Sequence, residues 1–185
     1  MNLEIYEELT GLDHLPSDRH YWTLANEQPD TEGSEINQLV DAGFLSKQQF
    51  YGVDLDQEII SLNKRTHPTA HWITGDWLNV ISNTENFNPG LIYLDSVYFA
   101  DNILAAQTLA RTMLRTPAGT VLLFNVQSKS GYARQKTINC DALIDRLPNY
   151  LPSRELACWR TDYIPSFTYT GSRTEMRTFV FYKEN

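Results

Sequence analysis

The chain has 185 residues, 42% of them hydrophobic, and a formal net charge of −8. That length suits one domain over residues 1–185 with a sizeable core, and the acidic balance argues against broad, nonspecific duplex binding, which needs many Lys and Arg contacts to phosphate. No apolar run approaches a membrane span and no secretory leader is apparent, so a cytoplasmic protein without a membrane partner is expected.

The charge is uneven, with thirteen acids and two bases in residues 1–58 against ten acids and thirteen bases in 59–185, which leaves room for a local basic patch. A short helix from Leu3 to Leu9 precedes Pro16. The first strand is predicted at Tyr21 to Asn26, followed by a turn-rich stretch from Gln28 to Gly33. Ser34 can cap a helix whose apolar positions Ile36, Leu39 and Val40 keep helical spacing, and Gly43 ends it. The second strand, Phe50 to Asp54, leads into a helix over Gln57 to Arg65, closed by Pro68. The third strand, His71 to Asp76, is followed by a short helix around Leu78 to Ser82.

Asn88-Pro89-Gly90 introduces the fourth strand, Leu91 to Asp95, and Asp101 to Leu114 reads as a helix of good formers. The fifth strand, Thr120 to Asn125, is almost wholly apolar, as expected where helices cover both faces. A helix over Asp141 to Tyr150 is stopped by Pro148 and Pro152. Trp159 to Ile164, Phe167 to Tyr169 and Arg177 to Lys183 then alternate polar and apolar residues around Thr170-Gly171-Ser172-Arg173, the pattern of an antiparallel hairpin at a sheet edge.

In an open α/β sheet, ligands bind outside the carboxyl ends of the strands where strand order reverses. The second, third and fourth strands end in Asp54, Asp76 and Asp95, so these carboxylates should line one crevice. Cys140 and Cys158 lack CxxC spacing and read as reduced thiols. His67 and His71 stand four residues apart, but Pro68 breaks any helix that would align them, so no metal is expected.

This order of elements and strand-end residues, from about Arg19 to Lys183, resembles the class I S-adenosylmethionine-dependent methyltransferases. The resemblance implies a Rossmann-like three-layer α/β sandwich, with a seven-stranded, mostly parallel sheet closed by a C-terminal antiparallel hairpin. It implies S-adenosylmethionine as cofactor. Gly52-Val53-Asp54-Leu55-Asp56 is similar to the second-strand motif whose acid accepts from both ribose hydroxyls, giving Asp54 that role with Asp56 as a substitute. Thr74-Gly75-Asp76-Trp77 is similar to the third motif, in which the acid takes the adenine amino group and its neighbour packs on the ring. The other reading of Asp76 is a helix N-cap.

The family's glycine-rich turn after the first strand is replaced here by Ala25 to Ser34 with the single glycine Gly33, twenty-one residues before Asp54. Asn26 or Glu27 is then the candidate for the methionine amino group, with a solvated loop acid as the other reading of Glu27. Asp95-Ser96-Val97-Tyr98-Phe99 is similar to the Asp-Pro-Pro-Tyr signature of amino-methylating nucleic-acid enzymes without its prolines, which makes Asp95 and Tyr98 the catalytic candidates. Asp95 otherwise caps the following helix or turn.

Asn125 to Lys136 carries three bases, one aromatic and no acid. Lys129, Tyr132 and Arg134 there are candidates to hold an acceptor such as a nucleic acid, against the plainer reading of a solvated loop. No Pro-Cys dipeptide exists for cytosine C5 chemistry. The sequence supports methyl transfer to an unidentified acceptor, with a noncatalytic binding protein of the same fold, or an enzyme that cleaves S-adenosylmethionine without an acceptor, as alternatives. A dinucleotide oxidoreductase fits less well, because a pyrophosphate needs the missing GxGxxG amides.

Overall fold

The computed structural model describes residues 3–25, 29, 31, 34–99, 102–129, 141–164 and 175–184; for 96–99, 128–129, 161–164 and 175 it describes the backbone alone. Seven strands form one sheet: β1 (His20–Leu24), β2 (Phe50–Asp54), β3 (His71–Thr74), β4 (Pro89–Phe99), β5 (Val121–Lys129), β6 (Trp159–Ile164) and β7 (Glu175–Lys183). Their spatial order is β3-β2-β1-β4-β5-β7-β6. The strands β1 to β5 pair in parallel, and β7 joins β5 and β6 antiparallel. The order reverses beside β1, which is flanked by β2 and β4.

Alternation along the strands sends side chains to two apolar layers. Trp22, Ile92, Leu94, Leu122, Phe124, Phe179 and Phe181 face one core, shared with α4 (Trp77–Asn83), α5 (Ile103–Arg115) and α6 (Asp141–Arg146). Tyr21, Leu91, Leu123 and Val180 face the other, shared with α1 (Leu3–Thr10) and α2 (Glu35–Asp41). The helix α3 (Gln57–Thr66) neighbours β2 and β3, and the short α7 (Ser153–Leu156) precedes β6.

Most predicted boundaries hold to within a residue or two, with three differences. The strand β4 does not stop at Asp95 but runs to Phe99, whose pairing with Gln127 is resumed after an irregularity in register. The strand β5 likewise continues through the polar Asn125, Gln127 and Ser128, because β7 supplies the backbone partners that local composition did not announce. The helix foreseen over Asp141 to Tyr150 ends at Arg146 and tightens into a single 3-10 turn, Leu147–Asn149, at Pro148. Ser34 stands at the N-cap of α2 without making a side-chain cap bond. The Phe167 to Tyr169 segment lies outside the described residues.

Candidate functional site

The strands β2 and β3 each end just before a helix begins, so the acid at either junction faces two demands. Asp54 accepts from the Asp56 amide at 2.7 Å, which turns the chain after β2. Asp56 in turn caps α3 by accepting from the Glu58 amide at 2.7 Å, so it serves the helix. Asp76 caps α4, accepting from the Asn79 amide at 3.1 Å, and remains exposed. The cap and the ligand readings of Asp76 are compatible, since the bond engages one of its two oxygens.

These junctions open on a crevice of about 490 Å³ at the carboxyl edge of β1, β2 and β4. Asp54, Asp76 and Asp95 all line it, so the three carboxylates converge even though Asp95 lies within β4 rather than at its end. Leu24, Leu94 and Phe124 close its floor, and Leu55, Gly75, Trp77 and Leu78 form one wall. The opposite wall is a stripe of α5 at helical spacing, Leu104, Gln107, Thr108 and Arg111. Leu55 is 74% exposed and Leu104 51%, so the mouth offers apolar surface in contact with water.

Trp77 is less available than its position in the motif implied. Only 7% of it is accessible, its indole N–H donates to the Thr112 hydroxyl at 2.9 Å, and its ring meets Trp22 edge to face. The core has turned the indole inward, and Leu55 and Leu78 present the accessible apolar faces instead. Sequence reading passed over these leucines, although Leu55 directly follows Asp54 and so shares its place at the crevice. It also passed over the α5 stripe, whose spacing was visible but whose burial partner was not.

Asp95 is exposed, as Asp76 is, but its partner is a side chain on the next strand rather than a backbone amide. Burial pushes its pKa up, opposed by the Asn125 amide, which donates to its Oδ1 at 3.4 Å. Asn125 also donates to the Tyr93 hydroxyl at 2.7 Å and accepts from the Thr178 hydroxyl at 2.5 Å. The register irregularity of β4 begins immediately after Asp95, a place where bulges commonly re-aim a side chain. On the same face Glu35, in the first turn of α2, approaches Tyr21 and Thr23; burial raises its pKa to about 7 and Asp95 adds to the rise.

Several sequence candidates are not brought to this site by anything described. Asn26, Glu27, Gly33, Tyr132 and Arg134 lie outside the described residues, and Tyr98 and Lys129 are known by their backbones alone, in β4 and β5. His67 and His71 do not converge: the His67 ring meets the Pro29 carbonyl at 2.9 Å, while His71 stacks on Tyr51. Among the described residues no group of three metal-ligating side chains occurs, and no helix is long and apolar enough to cross a membrane.

No family model matches the chain, and no curated protein matches it in sequence. Solved structures do. A TehB-like methyltransferase from Corynebacterium glutamicum matches at 19% identity with a TM-score of 0.51, covering 92% of this chain and 83% of that one. An S-adenosylmethionine-dependent methyltransferase from Clostridium acetobutylicum matches at 15% identity and a TM-score of 0.58, covering 98% and 89%. The fold is that of the class I S-adenosylmethionine-dependent methyltransferases. A precorrin-6y C5,15-methyltransferase from Geobacter metallireducens shares this methyltransferase fold at 6% identity, with a TM-score of 0.52 over 98% of this chain. In the methyltransferase fold the crevice described above is the one at the switch in strand order.

Proposed function

We propose that this protein is a cytoplasmic S-adenosylmethionine-dependent methyltransferase. The observation that carries the reading is the convergence of Asp54 of β2, Asp76 beyond β3 and Asp95 of β4 on one crevice with an exposed leucine at its mouth. The residues present suit the cofactor. A ribose diol needs an acceptor for two O–H donors, which Asp54 offers, and an adenine amino group needs one for N–H, which Asp76 offers. Leu55, Leu78 and Leu104 supply apolar surface for a purine, and three carboxylates against one described cation, Arg111, favour a positively charged ligand.

Bound there, the cofactor supplies a methyl group already activated by its sulfonium. The chain has to align the acceptor, keep water out and remove a proton. Asp95 is the described group placed for that proton, an exposed carboxylate at the crevice with the Asn125 amide beside it. The free Cys158 fits a reducing compartment. The fold leaves the acceptor open, and the basic stretch from Lys129 to Lys136 keeps nucleic acid as the first class to try. The glycine-poor turn after β1 favours one competing reading, a binding protein that has lost the cofactor.

Calorimetry with S-adenosylhomocysteine separates the two. The wild type should bind, and Asp54→Ala should weaken binding roughly 10- to 100-fold, since a hydrogen bond to a charged group contributes about 1.5–3 kcal/mol. Absence of heat and of any melting shift with the wild type would leave the binding-protein reading. Methylated product formed in a mixed pool of RNA and DNA, and lost in Asp95→Asn with cofactor affinity intact, would support nucleic acid as acceptor.

A further inference from the structure

Asp95, Asn125 and Thr178 stand in one row across three strands: Asp95 is the register partner of Asn125 between β4 and β5, and Asn125 that of Thr178 between β5 and β7. Because side chains alternate along each strand, the row puts all three on the same face of the sheet. Their hydrogen bonds run along it. The Thr178 hydroxyl donates to Asn125 Oδ1 at 2.5 Å, and the Asn125 amide donates to Tyr93 Oη at 2.7 Å and Asp95 Oδ1 at 3.4 Å.

The polarity of this chain has one consistent sense. An ionised carboxylate only accepts, so Asn125 must turn its NH2 toward Asp95 and its oxygen away. Thr178 donates to that oxygen, continuing the same sense from β7 toward Asp95. Asn125 is 7% exposed, so the bonds it makes here cannot be replaced freely by water. The row ends at the crevice, where Asp95 is the last paired residue of β4 before its irregularity.

We infer that Asn125 and Thr178 are positioning residues which hold the Asp95 carboxylate aimed into the crevice, so that it can take the proton of an N–H or O–H acceptor. The inference rests on the methyl-transfer reading for the purpose of that proton removal. In the step, the acceptor lone pair forms the new bond to the methyl carbon and the C–S electron pair leaves on sulfur as S-adenosylhomocysteine. The acceptor's proton passes to Asp95 and then to solvent. Burial raises the Asp95 pKa and the Asn125 amide lowers it, so the titration of this carboxyl reports whether that hydrogen bond is made. Among the described residues, Tyr93 on its own strand and Glu35 from α2 approach this acid, and Asp54, Asp76 and Arg111 line the same crevice.

The test is the titration of the Asp95 carboxyl by carbon-13 NMR in the full chain without cofactor or acceptor, its signal assigned with Asp95→Asn. Thr178→Val, at a residue that reaches Asp95 through Asn125, should raise the Asp95 pKa by about half a unit or more, roughly a threefold change in ionisation. Thr178→Ser should restore the wild-type value, and Asn125→Leu should raise it at least as far as Thr178→Val. An unchanged Asp95 titration in Thr178→Val overturns the inference, whatever Asn125→Leu does. If Asn125→Leu fails to fold, the Val and Ser pair at the half-buried Thr178 still decides. Because no ligand is present, this outcome is independent of the calorimetry that tests methyl transfer itself.

Discussion

Glu35 should make the protein less stable as pH rises through neutrality, and Glu35→Gln should remove that loss. The carboxyl opens α2 beneath β1, where burial lifts its pKa from 4.5 to about 7 while the Tyr21 and Thr23 hydroxyls pull it down. In the unfolded chain it ionises near 4.5; in the folded chain it holds its proton to about 7. The folded state therefore binds more protons across that window, and stability falls as pH climbs through it, levelling off above about 7. The full difference corresponds to about 3 kcal/mol. Glu35 is partly accessible, so water relieves some of this and about 2 kcal/mol is expected. Urea denaturation of wild type and Glu35→Gln at pH 5 and pH 8.5 checks it. The variant should match the wild type at the lower pH and exceed it by about 2 kcal/mol, or roughly 4–8 °C in Tm, at the higher. Parallel pH profiles would refute the claim that this carboxyl is withheld from water.

Asp56→Ala and Asp76→Ala should each cost about 1 kcal/mol of stability by removing a helix cap, but only Asp76→Ala should also weaken S-adenosylhomocysteine, since Asp56 does not line the crevice. Chemical denaturation and calorimetry on the pair separate the two roles. Gly52→Ala places a Cβ 2.3 Å from Trp72 Cζ3, while the indole is held by donating to the His67 carbonyl at 2.9 Å. A destabilisation of about 1–3 kcal/mol is expected, largely recovered when Trp72→Leu is added; no change in the denaturation midpoint of the single variant would show that the ring yields freely.

The sheet was largely legible because its strands are short apolar runs separated by helices of good spacing. Asp54 and Asp76 were legible because a strand tip is a position that sequence can mark, and Asp95 because it closes the apolar run of β4, although that strand continues to Phe99. What decides the orientation of a side chain was not. Trp77 reads as an available aromatic, but the pull of Trp22 and Thr112 turns it into the core. Glu35 reads as a solvated acid complementing a helix start; that it lies over buried tyrosine and threonine follows only from the layer α2 occupies. Asn125 and Thr178 were unremarkable polar residues at the margins of two strands, and their meeting depends on the register of β7 against β5. The polar end of β5 looked like a loop for the same reason.

The most direct test of the account is a crystal structure grown with S-adenosylhomocysteine. The account predicts the ribose hydroxyls on Asp54, the purine between Leu55 and Leu78 with its amino group on Asp76, and the sulfur directed toward the Asp95 side of the crevice. A ligand bound elsewhere on the molecule, or crystals that never take it up at saturating concentration, would contradict it.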